Sequence, residues 1–586
     1  MKNVTKYIVS GVIATGVVTG GIVLVAFFLF QPEEGDGPEE ELFIFDFAIT
    51  SHQNDSLVQS STIVLRGTTS GSSDINQIVI NGISVISLEP NFLKWGVILN
   101  LIHGVNQIHI NITYNITSVI QNAVDFRINA DTGAFPKDLD RPDSSYQDPN
   151  NDGLDGMCDN AIFVSKSGED LNSGTIFQPM LTINAGVAIA NESGTKDVYV
   201  SEGAYNESIV MIDGVSLFGG YKESDLWSRD TSNHPIINAT EEVNNRIVGV
   251  TAHNIQAQTY LDTMEIRTAN STTGSSCGVW CYNISDDLLN INNCIISSGD
   301  GRDGNNGANG DDGIAVSNGF NGVNWLGGSG GLAPGLFYDG GNGGNGHVCG
   351  LPPPPWNGID GISGEGPGGG IGGIGGAWGP IPGNGGNGGD GANGANGADG
   401  GVGDGNGTIV NNFWRGFNGN DGMFGYPGSG GGGGGGGGSN IVASWGGGGG
   451  GGGGGGTSGF GGKGGKSGGG SIGILLVEAN IIIAHNTIFT GDGGNGDNGG
   501  RGGSGGLFGF PGSGLLGGVG GLGGLGGDGG DGGSGGGGTG GISFGIYCYD
   551  SIATISDNLY TIGTGGLGGL SLVNNGVQGE SGDVYL

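Results

Sequence analysis

Ile472-Gly473-Ile-Leu-Leu476-Val, continuing through Ala484-His-Asn486-Thr-Ile-Phe-Thr-Gly491-Asp-Gly493, has two relatives in the same chain. One is Cys277-Gly278-Val-Trp-Cys281-Tyr, continuing to Ile291-Asn-Asn293-Cys-Ile-Ile-Ser-Ser-Gly299-Asp-Gly. The other is Phe544-Gly545-Ile-Tyr-Cys548-Tyr, continuing to Ser556-Asp-Asn558-Leu-Tyr-Thr-Ile-Gly563-Thr-Gly. The Gly-to-Asn spacings are 15, 13 and 13 residues. Short β-branched runs punctuated by Asn and Gly read as strands and turns. A unit that recurs in this way buries its apolar face against the next copy. Stacked strands lie about 4.8 Å apart and place like residues above like. The repeat therefore predicts a coiled sheet with an asparagine ladder (Asn293, Asn486, Asn558) at one turn and an inner column of Cys281, Leu476 and Cys548.

Each copy runs straight into a glycine tract, at 299–470, 491–542 and 563 onward. Of 586 residues, 143 are Gly, about a quarter against a usual share of about 7 %. The phase is regular: Gly301-Arg-Asp-Gly304-Asn-Asn-Gly307-Ala-Asn-Gly310-Asp-Asp-Gly313 has period three, as do stretches within 385–403, 493–505 and 517–538. Collagen shares that period but needs many Pro and three chains, and only 18 Pro are present. A calcium-binding β-roll has a nine-residue repeat. A flexible linker has no reason to keep any period. A left-handed three-residue helix brings every third residue to one face, where Gly lets neighbouring backbones hydrogen-bond. This pattern resembles the polyglycine-II bundles of springtail antifreeze proteins and phage tail-fibre adhesins, and glycine-rich surface proteins of microbes. Two states stay open for the tracts, an ordered polyglycine-II bundle and a disordered insertion. The runs Gly430–Gly438 and Gly446–Gly456 fit either.

Upstream lies Ala161-Ile-Phe-Val-Ser-Lys-Ser-Gly-Glu-Asp170, then Asn172-Ser-Gly174, Gln178-Pro179, Thr182-Ile-Asn-Ala185 and Asp197-Val-Tyr-Val200-Ser-Glu-Gly-Ala-Tyr205. It resembles the N-terminal part of right-handed parallel β-helix proteins of the pectin-lyase-like superfamily over about 50 residues. The resemblance implies a short capping helix near 182–190 and a first full coil opening near 197. Glu169-Asp170 stands where that family has a single Asp. Residues 43–128 read as short alternating strands, including Ser61–Arg66, Ile75–Ile80, Trp95–Leu101 and Asn106–Ile112, with Asn81-Gly82 as a tight hairpin signal. The run from Gly82 to Ile110 resembles bacterial and archaeal immunoglobulin-like modules, which implies a β-sandwich spacer.

Between these parts, Asp148-Pro-Asn150-Asn-Asp152-Gly153 matches the start of an oxygen-ligand calcium loop, with Asp155 following and Asp159 at the twelfth position. A hard cation needs several oxygens on a tight turn; an acidic solvated linker would carry the same residues. Such an isolated loop is similar to thrombospondin-like calcium repeats. Calcium is the only cofactor expected. The six Cys (158, 277, 281, 294, 349, 548) read mostly as buried small residues, and no Cys/His spacing suits zinc.

Lys2 and Lys6 precede an uncharged run over 7–30, long enough to cross about 30 Å of hydrocarbon as a helix. The acidic residues that follow orient its N-terminus inside. The run is longer than a cleaved signal core, so an uncleaved anchor is expected. Beyond the anchor, nine N-x-[ST] sequons, at Asn54, Asn111, Asn115, Asn191, Asn206, Asn238, Asn270, Asn283 and Asn406, suit glycosylation outside the cell.

The expected fold is all-β: a transmembrane helix (1–30), an acidic linker (31–42), an immunoglobulin-like sandwich (43–128) and an Asp-rich joint (129–159). A right-handed parallel β-helix follows at 160–298, 471–490 and 543–586, with Gly-rich insertions at 299–470 and 491–542. With Lys+Arg 18, Asp+Glu 55 and a net charge of −37, the chain is unsuited to nucleic acid, which needs cations to neutralise phosphates. No catalytic residue is assigned. His485, Asp286, Asp287 and Glu478 read as exposed turn residues rather than acid–base groups. The reading is a single-pass membrane protein with an extracellular structural or adhesive bulk. Surface glycans or other cell-surface proteins are its candidate partners. The alternative is an extracellular polysaccharide lyase or glycoside hydrolase on the same coil, with ice binding more distant. Aromatic residues that punctuate the tracts, among them Trp325, Phe413, Trp414, Phe424, Tyr426 and Phe460, are expected to pin tract ends; the other use would be stacking on sugars.

Overall fold

A computed structural model describes the backbone at 7–18, 21–32, 42–70, 75–114, 118–136, 139–194, 197–335, 337–347, 356–403, 407–440, 445–514 and 518–586, and side chains within these from residue 47 onward except at 114 and 118–125. Most of the linker, sequons Asn115 and Asn406, and Cys349 lie outside the described residues. The chain is all-β with several parallel sheets.

The helix expected over 7–30 is corrected. Tyr7–Val18 and Gly21–Pro32 form an antiparallel hairpin, and Gly21–Pro32 pairs onward with Leu42–Ile49. The composition accounts for this. Ile8, Val9, Val12, Ile13, Thr15, Val17 and Val18 are β-branched and favour strands, while Gly11 and Gly16 disfavour a helix interior. Among the described residues, no helix is long and apolar enough to cross a membrane.

Residues 42–130 build two sheets around one core. Ile63, Leu65, Trp95 and Leu99 from one sheet meet Ile78, Ile80, Ile108 and Ile110 from the other. Phe47 stacks on Trp95 at 4.7 Å. Asn81 and Gly82 both have positive φ (48° and 84°) and link Ile75–Ile80 to Ile83–Ser84, the turn their dipeptide predicts.

From Ala161 the chain visits three parallel sheets in rotation. Each circuit uses one strand per sheet: Ser275–Ile284, Leu289–Asn292 and Ile295–Ser298, then Ser471–Ala479, Ile481–Ala484 and Thr487–Thr490, then Ser543–Tyr549, Ala553–Ser556 and Leu559–Thr561. This arrangement is compatible with a parallel β-helix. Registers Cys281↔Leu476 and Leu476↔Cys548 make the expected inner column, and all three side chains are buried. The helix Ile183–Glu192, capped by the Thr182 hydroxyl accepting from Ala185 N at 3.3 Å, buries Ile183, Val187 and Ala190 against the first strands.

All three glycine tracts leave from the same corner, between the strand ending each circuit and the one opening the next. The tracts then bond to one another with period three. Gly304, Gly307 and Gly310 donate to the carbonyls of Asn495, Asn498 and Arg501 at 2.7, 2.9 and 2.7 Å. Asp497, Gly500 and Gly503 donate to Lys466, Lys463 and Phe460 at 2.9, 2.8 and 2.8 Å. Over their described residues the tracts are therefore ordered. In an edge tract one residue in three packs so closely on a neighbour that only Gly fits: a β-carbon at Gly307 would lie 2.0 Å from the Lys463 carbonyl oxygen. In the central runs every direction is blocked. β-Carbons at Gly432, Gly433 and Gly434 would meet the carbonyls of Ile371, Asn342 and Gly521 at 2.3, 2.1 and 2.2 Å. The unbroken Gly runs are thus the interior of the assembly, and residues 430–438 and 446–456 are buried throughout.

Candidate functional site

The Asp-rich joint is a stitched loop. Asp148 accepts from Asp152 N (3.0 Å) and Gly153 N (2.8 Å). Asn150 donates to Asp152 Oδ2 at 2.8 Å, and Asp152 accepts from Leu154 N (3.0 Å) and Cys158 N (2.8 Å). Asp159 does not turn into the loop; it accepts from Ser61 N and Oγ at 2.8 and 3.0 Å, tying the sandwich to the coils. Asp155 faces Arg229, whose buried guanidinium also meets Asp262. Among the described residues no three Asp, Glu, His or Cys side chains converge to hold a metal ion. Burial, with Asp148 and its other acidic neighbours, pushes the Asp140 carboxyl to about 8. Burial also pushes Asp152 to about 8, with Asp148 adding to the shift.

The asparagine ladder has two members. Asn486 donates to Asn558 Oδ1 at 2.9 Å and to Ile291 O at 2.9 Å, and Cys294 N donates to Asn486 Oδ1 at 2.9 Å. The strand registers set Cys294, not Asn293, beside Asn486. Asn293 occupies the preceding corner with His485 and Asp557, all with positive φ (52°, 58° and 53°). Asn suits both corners: it tolerates left-handed backbone and has an amide that both donates and accepts. That is why the sequence alignment slips by one residue here. Asp286, Asp287 and Glu478 are exposed residues of positive φ, and His485 is exposed beside Asp557.

Sequon residues Asn191, Asn206, Asn270 and Asn283 are exposed, and Asn54, Asn111 and Asn238 half-buried. The amides of Asn54, Asn238, Asn270 and Asn283 donate to Asp55, Asn206, Asp300 and Asn254 respectively.

The sequence did not reveal what Asn and Asp do in the tracts. Asp303, Asn306, Asn309 and Asp312, each just before a Gly, accept from the backbone N of Asn495, Asn498, Arg501 and Ser504 (2.6, 3.1, 2.9 and 2.7 Å). Asn384, Asn387, Asp390, Asn393, Asn396 and Asp399 do the same for the tract from Val519 to Ser534. Gly packs the backbones; the residue before it caps the neighbour's spare N–H.

Among the hollows that open on this assembly, two are walled by aromatic residues. One, of about 770 Å³, is walled by Met423, Phe424, Tyr426, Phe460, Asp421 and Lys463. Phe424, Tyr426 and Phe460 are 63 %, 64 % and 50 % exposed, so these rings do not pin tract ends. Phe413 and Trp414 do: they are buried beside Trp280, Leu475 and Tyr547 on the outer face of the coil. The second hollow, of about 570 Å³, lies where these two rings join coil and tract.

Compared with known protein families, curated proteins and solved structures, the chain matches none.

Proposed function

We propose that this protein is a surface-displayed protein whose structural and adhesive face is built from glycine tracts. On this reading the coils are a right-handed parallel β-helix of pectin-lyase-like type, and the preceding sandwich is an immunoglobulin-like spacer. The tracts are polyglycine-II helices. The observation that carries the reading is the common corner from which all three tracts leave. Successive coils spend their insertions on one slab, which enlarges one side of the molecule and leaves Phe424, Tyr426 and Phe460 facing outward. Exposed apolar patches of this kind mark interaction surfaces, and aromatic faces suit stacking on sugar rings. Calcium at the joint remains part of the proposal for Asp148, Asn150 and Asp152, whose oxygens gather on one turn, whereas Asp155 faces Arg229 and Asp159 faces Ser61.

Carbohydrate turnover is the second reading, favoured only by the coil architecture, and fold alone does not imply chemistry. Beads coated with the full chain test the two together. Retention on a glycan-coated surface, reduced by Phe424→Ala with Phe460→Ala, supports adhesion. Release of oligosaccharide from any polysaccharide, or retention unchanged by the double substitution, overturns it.

A further inference from the structure

From residue 246 onward the only Lys and Arg are Arg246, Arg267, Arg302, Arg415, Lys463, Lys466 and Arg501. Four of these seven, Arg246, Arg302, Arg415 and Lys466, line the hollow of about 570 Å³ where the coil meets the tracts. Its lining contains no Asp or Glu, in a chain whose net charge is −37. Elsewhere the cations meet acids: Arg267 lies beside Glu265, Lys463 beside Asp421, and Arg302 also borders a neighbouring hollow lined by Asp300, Asp303 and Asp492.

The four cations come from separate pieces of chain. Arg246 begins the strand Arg246–His253, Arg415 ends the short strand Phe413–Arg415, and Arg302 and Lys466 sit on glycine tracts. None of them makes a salt bridge among the described residues. Arg246 is held instead between rings, its guanidinium carbon 4.2 Å from the centre of Trp280 and 4.6 Å from that of Phe413. These contacts fix the plane of its fork without neutralising it. Arg302 has a buried Nε with no hydrogen-bond partner. Asp497 feels the charge of Arg302 but forms no ion pair with it. Gathering four cations is unfavourable, and Asp497 near Arg302 and Asp421 near Lys466 offset only part of it. The remaining repulsion is relieved when an anion enters. Arg forks match the oxygens of phosphate and sulfate two at a time, and a dianion answers four positive charges better than a single carboxylate does.

We infer that this cleft is an anion-binding site for a phosphate or sulfate group, carried as an ester on a polymer such as a surface glycan or met as the free ion. The inference stands without the surface-display reading, since it concerns what the purified chain binds.

Titration calorimetry of the full chain with inorganic phosphate, inorganic sulfate and a sulfated polysaccharide tests it. Binding of at least one is expected, and binding of the polymer alone identifies the ester as the source. Arg415→Gln with Lys466→Gln, both exposed and so compatible with folding, is expected to weaken it about tenfold or more, the loss of one or two charge-assisted contacts. Arg267→Gln, away from the cleft, is expected to leave it unchanged. No binding of any probe overturns the inference. So does binding that survives the double substitution, or binding of a carboxylated polysaccharide while sulfate and phosphate fail.

Discussion

Asn486 and Asn558, one coil apart, are joined side chain to side chain: Asn486 Nδ2 donates to Asn558 Oδ1 at 2.9 Å. Asn486 is 1 % exposed and also satisfies Cys294 N and Ile291 O. Asn486→Ala strands those two buried backbone groups and is expected to cost roughly 2–4 kcal/mol, read as a lower denaturant midpoint. Asn293→Ala, at a half-buried corner, is expected to cost about 1 kcal/mol, the left-handed penalty. Equal losses would show that the ladder lies at Asn293 after all.

Tract stability should depend on position within the triplet. Gly433→Ala drives a β-carbon to 2.1 Å from the Asn342 carbonyl oxygen, and its neighbours are tracts that cannot retreat. Exposed Ala308, in the middle of a triplet, should accept Ser without loss. Asn393→Ala removes the cap on Asp528 N (2.9 Å) and should cost about 1 kcal/mol. Thermal unfolding of the three variants is expected in the order Ala308→Ser, Asn393→Ala, Gly433→Ala, from most to least stable.

The joint should weaken as pH rises. Burial raises Asp140 and Asp152 from 3.8 to about 8. Between those values the folded chain holds protons that the unfolded chain has released. Their contribution is therefore complete below the lower value and lost as pH climbs through the upper one. Asp140→Asn cannot lose that proton. Relative to the native chain it should gain up to roughly 4 kcal/mol between pH 5 and pH 8, three pH units at about 1.4 kcal/mol each, and less to the extent that solvent screens the carboxyl. A difference that stays flat with pH contradicts the burial of Asp140.

The described cysteines should be unreactive. Cys158, Cys277, Cys281, Cys294 and Cys548 are free and buried, and burial pushes Cys277 to about 12 and Cys548 to about 11. The thiolate is the reactive form. Mass-mapped alkylation at pH 8 should leave these five unlabelled until denaturant is added, and labelling of Cys281 in the native chain would show the inner column to be open.

The sequence revealed much of this architecture because its signals are local and periodic. The strand pairs around Asn81-Gly82, the inner Cys281–Leu476–Cys548 column and the shared tract corner follow from turn residues and repeat spacing. Other features depend on distant partners. The hairpin over 7–32 turned on β-branched content against length and hydropathy. The Asn293 slip came from two adjacent corners that both suit Asn. The all-Gly runs carry no pattern, because their meaning is burial on every side by tracts far away in sequence. The basic cleft draws Arg246, Arg302, Arg415 and Lys466 from separate segments, and no spacing links them.

Hydrogen exchange of the full chain, read by mass spectrometry over the runs 430–438 and 446–456, tests the ordered glycine slab most directly. Gly433 and Gly450 donate to Ile362 and Gly521, each at 2.9 Å, so these amides should be protected as long as those of the coil strand Ser471–Ala479. Exchange there at the rate of an unstructured peptide, while the coil strand stays protected, would contradict it.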